Sequence, residues 1–177
     1  MQKGFPCGKP FFERTDMMEI RTATMADLAA VTYLEAICFP AAEAASEESF
    51  ARRLEVYPDH FWVLMDGDTI VSFVNGMVTN KPDLCDEMYD NAALHDENGG
   101  WQMIFGVDTH PDYRRRGCAG KLLKHVIAEA KAQGRKGLVL TCKDKLVPYY
   151  SKFGFVSEGV SQSTHGDVVW YQMRLTF

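Results

Sequence analysis

The residues of this chain whose types and spacing are most able to do chemistry are Arg114-Arg115-Arg116-Gly117-Cys118-Ala119-Gly120-Lys121. The run follows a strand-like stretch, Trp101 to Asp108, and leads into apolar residues at Ala119, Leu122, Leu123, Val126, Ile127 and Ala130. That spacing predicts an amphipathic helix closed at Gly134. Free N–H groups at the positive end of such a helix make an anion site suited to a pyrophosphate. Gly117 and the small residues at 119 and 120 let phosphate oxygens approach the backbone, and the arginines add charge. A nucleotide P-loop is excluded: Arg115 stands where its first glycine belongs and Leu122 where its metal-binding hydroxyl belongs. A dinucleotide fingerprint is excluded as well, because Gly117 and Gly120 lack the leading Gly-x-Gly.

The elements that must position this turn can be read in order. Glu19 to Ala23 predicts a strand, and Thr24 with Asp27 a capping-box start to a helix that ends at Pro40. A second helix opens at Ser46, carries Phe50, Leu54 and Tyr57 inward, and stops near Pro58. His60 to Met65 and Thr69 to Val78 form a hairpin about Asp66-Gly67. Residues 79–100 are irregular and acidic, a length that in a compact domain usually marks a functional or moving segment. After the strand 101–108 and the amphipathic helix come a strand at Gly137 to Cys142 and a short helix from Leu146 to Phe153. Strands at Phe155 to Val160 and Val168 to Leu175 follow. The resulting order, β-α-α-β-β-β-α-β-α-β-β, predicts an α+β (mixed α/β) class. Two strand-helix-strand crossovers give locally parallel pairing within a mixed sheet.

In that context the chain resembles the GNAT N-acetyltransferase superfamily, whose coenzyme A loop, Gln/Arg-x-x-Gly-x-Gly/Ala, is matched by Arg114-Arg115-Arg116-Gly117-Cys118-Ala119. The flanking strand Ile104-Phe105-Gly106-Val107 and the later run Leu146-Val147-Pro148-Tyr149-Tyr150-Ser151-Lys152-Phe153-Gly154-Phe155 extend the resemblance over roughly residues 19–175. Within the superfamily, Thr141 to Tyr150 looks like the corresponding part of the arylalkylamine (serotonin-type) enzymes. The resemblance implies a fold in which two parallel strands splay so that the pantetheine of acetyl-CoA inserts beside Phe105, Gly106 and Val107. It places the pyrophosphate on Arg115, Arg116, Gly117, Cys118, Ala119, Gly120 and Lys121. The implied activity is acetyl transfer onto a small aryl- or alkylamine in a ternary complex, with no metal. The alternatives are a protein N-terminal or lysine acetyltransferase and a non-catalytic acyl-CoA-binding regulatory domain.

A primary amine, with a pKa of about 10.4, is protonated at neutral pH and attacks a thioester only as the free base. The site must therefore accept one proton and return one to the departing thiolate. By the resemblance Tyr150 is the returning acid. The positions that carry histidines in serotonin-type enzymes are here Met103 and Phe105, so the base is left open between other residues. Glu43, in Phe39-Pro40-Ala41-Ala42-Glu43, is a candidate to attract the acceptor's ammonium, and His165, in a polar turn between the last strands, a candidate proton relay. His60, His95 and His125 show no constellation in the sequence, and Cys142 has no paired histidine for nucleophilic catalysis.

With 177 residues and 46% hydrophobic content the chain suits one domain. The expected organisation is a flexible leader over residues 1–17, with Met17 or Met18 as an alternative start, and a single domain over 18–177. No stretch reaches the roughly 18 apolar residues of a membrane span, and no secretory signal opens the chain. Five cysteines without C-x-x-C or metal spacing are expected to be reduced thiols, which fits a cytoplasmic protein. A formal charge of -5 argues against a general nucleic-acid surface. A homodimer is compatible with all of this.

Overall fold

The computed structural model describes residues 17–177, so the expected leader lies, apart from Met17, outside the described residues. The chain runs β1 (Glu19–Thr22), α1 (Leu28–Cys38), α2 (Glu47–Val56), β2 (Phe61–Asp66), β3 (Thr69–Asn75), β4 (Val78–Thr79) and α3 (Glu87–Asp90). It continues through β5 (Trp101–Ile104), β6 (Gly106–Thr109), α4 (Cys118–Ala132), β7 (Gly137–Cys142), α5 (Val147–Ser151), β8 (Val156–Val160) and β9 (Tyr171–Thr176). Local chemistry starts the helices as expected. The Thr24 amide donates to the Asp27 carboxylate at 2.8 Å, closing the capping box before α1, and Ser46 Oγ accepts from the Ser49 amide at 3.1 Å at the start of α2.

Strands β2 and β3 are buried on both faces, which explains their continuous apolar runs. Phe61, Val63 and Phe73 pack with Val31, Leu34, Phe50 and Leu54 of α1 and α2. Trp62, Leu64 and Val74 face the other way, onto Leu122, Leu123 and Val126 of α4. Among the described residues no helix is long and apolar enough to cross a membrane, and Cys38, Cys85, Cys118 and Cys142 are free thiols.

Three features differ from the sequence reading. The stretches 69–78 and 101–108, each expected as one strand, break at Gly76 and at Phe105, and each break carries the chain from one sheet to the other. The sheets have the orders β1-β2-β3-β6 and β4-β5-β7-β9-β8. Gly76 is required because a Cβ there would collide with the carbonyl group of Met103. In addition, β8 does not lie beside β7: β9 pairs antiparallel with both and separates them, so the second crossover gives parallel direction without adjacency. Finally, residues 79–100 hold α3, whose Met88 is buried with Leu84 and Ala92 against Tyr57, Met77, Met103 and Val139. The irregular segment is thus a packed wall of the domain.

His60 and His95, isolated in the sequence, meet at this wall. Glu97 Oε2 lies 2.9 Å from His60 Nε2 and 3.1 Å from His95 Nε2, and its other oxygen lies 2.7 Å from the Arg135 guanidinium. The group ties the 79–100 segment to β2 and to the end of α4.

Replacing Gly76 by Ala should lower stability by about 3 kcal/mol, since backbone must move to admit the methyl group. The urea unfolding midpoint reads this directly; a midpoint equal to the parent's would refute the packing argument.

Candidate active site

The pairing of β5 with β7 is parallel and runs from Trp101↔Gly137 to Ile104↔Leu140. There it stops, because β6 has turned to pair with β3 from Asn75↔Gly106 onward. Two strand edges then diverge, Gly106–Thr109 on one side and Thr141–Cys142 on the other, and among the described residues no strand lies between them. Such edges present backbone donors and acceptors to anything extended that enters, and a pantetheine arm, with its two amides, is suited to take the place of a strand.

The cleft opens into a cavity of ≈ 550 Å³ lined, among others, by Phe105, Gly106, Val107, Tyr150, Glu43 and His165. Six of the sequence-derived positions, from four separate segments, therefore converge. The remaining ones, Arg115 to Lys121, form the adjoining turn rather than the cavity wall. Gly117 caps α4 in the left-handed region at φ 79°, and Arg115 is also left-handed at φ 59°. This twisted turn precedes the free amides of a 15-residue helix, the geometry that receives phosphate.

Individual side chains at the turn have distinct jobs. The Cys118 thiol is buried beside Leu122, so that residue offers its backbone only. Lys121 Nζ donates to the Met18 carbonyl at 2.7 Å, and the Arg116 guanidinium lies 5.2 Å from the centre of the Tyr113 ring. Gly120 lets Phe153 pack closely on α4. Arg114, one residue before the assigned set, donates from Nε to the Thr109 carbonyl at 3.2 Å and does line the cavity.

Tyr150 is held by α5, whose first turn contains Pro148. The two neighbouring tyrosines have different surroundings. Tyr149 packs against Phe153 away from the cavity, whereas Tyr150 lines it and is only 7% exposed. Burial, and then the neighbouring Cys142, raises the Tyr150 phenol above its ordinary value, so it is a proton donor at every physiological pH. Burial pushes the Cys142 thiol up to about 11, which leaves it unsuited to act as a nucleophile.

Across the cavity, Glu43 Oε1 pairs with Lys143 Nζ at 3.0 Å, and Glu43 Oε2 is buried without a hydrogen-bond partner. The Glu43 backbone carbonyl lies 2.8 Å from His165 Nε2. A carbonyl only accepts, so Nε2 is the donor in this contact and Nδ1 is the ring nitrogen left over for another partner. The ring tilts onto Tyr89 with centroids 5.0 Å apart. Gly166 makes the approach possible: it is left-handed at φ 65°, and a Cβ there would lie 2.6 Å from Glu43 Cγ. Glu43 and His165, 122 residues apart, are brought into one contact.

Glu35, Arg53, Asn75 and Asp108, to which sequence reading assigned no site role, also line the cavity. The buried Arg53 guanidinium donates to Asn75 Oδ1 at 2.9 Å and to the Tyr89 carbonyl at 2.8 Å, and it lies 4.9 Å from the centre of the Phe105 ring. Arg53 thus ties α2 to the wall segment and to the bend where β5 gives way to β6. A signal existed, since Arg53 follows Phe50 by one helical turn and so sits on the inward face.

Glu35 accepts from the Ala45 amide at 2.8 Å, and its other oxygen faces Asp108 across Gly106. Two carboxylates have no donor between them until one takes a proton. Burial first, then the Glu35 charge, raises the Asp108 carboxyl well above the usual carboxylate range.

Comparison with known proteins agrees with this geometry. Residues 25–155 match the family model described as the acetyltransferase (GNAT) family. The chain is 28% identical over 106 residues to serotonin N-acetyltransferase of Mesocricetus auratus, a match covering 59% of this chain and 50% of that protein. It therefore spans about half the length of that curated relative. Among solved structures, the GphF GNAT-like decarboxylase in complex with isobutyryl-CoA superposes with a TM-score of 0.75 at 22% identity, over 89% of this chain and 98% of that one. The ribosomal-protein-S18-alanine N-acetyltransferase from Escherichia coli gives 0.69 at 22% identity, over 90% and 94%. These superpositions show the fold, and the family model names the class. The chain belongs to the GNAT acetyltransferase family, whose cosubstrate is acetyl-CoA.

The Asp108 shift makes a prediction with a definite sign. A carboxyl whose pKa is raised by folding contributes stability below its unfolded value, about 3.9, and that contribution is lost as pH rises toward the folded value. Asp108→Asn removes the loss, so the variant's unfolding midpoint should gain on the parent's as pH rises from about 4 to about 8. A difference independent of pH would contradict the raised Asp108 carboxyl.

Proposed function

We propose that this protein moves the acetyl group of acetyl-CoA onto the amine of a small aryl- or alkylamine by direct attack in a ternary complex. The observation that carries the reading is the convergence, in one cavity, of the divergent strand edges, the Tyr150 phenol and the Glu43–His165 contact. Backbone N–H groups on the open edge of β6 polarise the thioester carbonyl, the Phe105 N–H being already taken by the Asn75 carbonyl at 2.8 Å. His165 Nδ1 takes the proton of the acceptor's ammonium, Glu43 supplies negative charge on that side, and the free amine attacks. Tyr150 then protonates the coenzyme A thiolate. Tyr89, Trp170, Phe39 and Pro40, which also line the cavity, favour an apolar or aromatic acceptor body. The coenzyme turn at 115–121 and the serotonin-type relative support the same assignment.

The test is release of free coenzyme A from acetyl-CoA across aryl, alkyl, polyamine and peptide N-terminal acceptors, with Tyr150→Phe beside the parent. Small amines should drive release, and the variant should lose about 10²-fold or more of kcat. The rate should climb with pH as the acceptor deprotonates. Loss of the Tyr150 proton should produce no descending limb up to about pH 10, since burial places this phenol above the ordinary tyrosine value. Release with the peptide alone would assign a protein substrate instead, and release unaffected in Tyr150→Phe would remove Tyr150 as the acid.

A further inference from the structure

We propose that the ε-amine of Lys143 is itself an acetyl acceptor, modified in cis within the same cavity; the proposal rests on the acetyl-transfer reading above. Lys143 directly follows the open edge Thr141–Cys142 of β7. Strand alternation sends Cys142 into the core beneath α4 and turns Thr141 and Lys143 to the opposite face, where Thr141 Oγ1 lies 3.3 Å from the Tyr89 hydroxyl. From there the lysine reaches toward the segment joining α1 and α2. Its ammonium lies 3.0 Å from Glu43 Oε1 and 5.9 Å from the centre of the Trp170 ring. Lys143, Glu43, Trp170, His165 and Tyr150 all line the one cavity.

This is the arrangement an external amine would need. The Glu43 side chain is only 6% exposed, its Oε2 is sealed from solvent, and its Oε1 already holds the lysine ammonium. An incoming ammonium can reach this carboxylate only by displacing Lys143. The chain therefore keeps a primary amine of its own on the acceptor side of the cleft. Lys145, also at the cavity, forms no ion pair among the described residues.

The chemistry balances with the groups already present. The Lys143 ammonium gives one proton to His165 Nδ1, its nitrogen bonds to the acetyl carbon, and the carbon–sulfur bond breaks. Tyr150 protonates the thiolate and regains a proton from the new amide nitrogen. The products are Nε-acetyl-Lys143, coenzyme A thiol and one proton, held on His165. Acetylation removes the lysine charge, breaks its pair with Glu43 and frees that carboxylate for an external ammonium.

The experiment incubates the full chain with acetyl-CoA and no added amine, then follows each lysine by peptide mass spectrometry. Lys143 should gain one acetyl group in a first-order process independent of protein concentration. Because it is held in place, it should react about 10²-fold faster than Lys145, and the advantage should vanish in the urea-unfolded chain. Modification of Lys143 no faster than of Lys145, or as fast when unfolded, would overturn the proposal, as would a rate proportional to protein concentration. If small amines still drive coenzyme A release while Lys143 stays unmodified, the self-acetylation alone fails. If neither occurs although acetyl-CoA binds, the acetyl-transfer reading fails with it.

Discussion

The constraint on which the site depends is a pair of strand edges held apart. An open edge is a row of unpaired backbone donors and acceptors, and a protein normally closes or covers it. Here β6 cannot close onto β7, because the bend at Phe105 commits it to β3 through the register Asn75↔Gly106 to Ser72↔Thr109. Gly76 mirrors that bend on the neighbouring strand and admits the Met103 carbonyl. The two breaks together turn one continuous sheet into two that share a cleft, and everything chemical lies along it.

Polar groups are buried around this cleft in a way that serves preorganisation more than stability. Arg53 holds Asn75, the Tyr89 carbonyl and the face of Phe105, so a charge removed from water fixes three walls at once. Asp108, buried without a hydrogen-bond partner and near Glu35, has its carboxyl raised well above the usual carboxylate range. Tyr150 is buried where its phenolate is disfavoured, and a neutral phenol is what the proposed acid role requires. Each arrangement is held by its surroundings before substrate arrives, so little reorganisation is left for the reaction.

Much of the fold was legible because local rules agreed with it. The Thr24–Asp27 box, the Ser46 cap, the Asp66-Gly67 turn and the apolar spacing of α4 each announce an element within a few residues. The breaks at Gly76 and Phe105 were not legible, since the apolar runs pass through them and only contact with another strand reveals the change of sheet. The turn before α4, carried by consecutive residues, could be read directly as a turn and a helix start. The acceptor side could be read only in part. Glu43 and His165 were visible as isolated polar residues, but their contact spans 122 positions, and the pairs Glu43–Lys143 and Glu35–Asp108 likewise depend on tertiary closure. His60 and His95 looked solitary for the same reason.

Backbone hydrogen exchange in the presence and absence of acetyl-CoA tests the central claim most directly, because the claim is that the open edges are filled by the pantetheine arm. The account predicts that acetyl-CoA slows exchange at residues 105–109 and 141–143 together, and also across the turn at 115–121 that it assigns to the pyrophosphate. Binding without protection of both edges, or with protection confined to another surface, would contradict it.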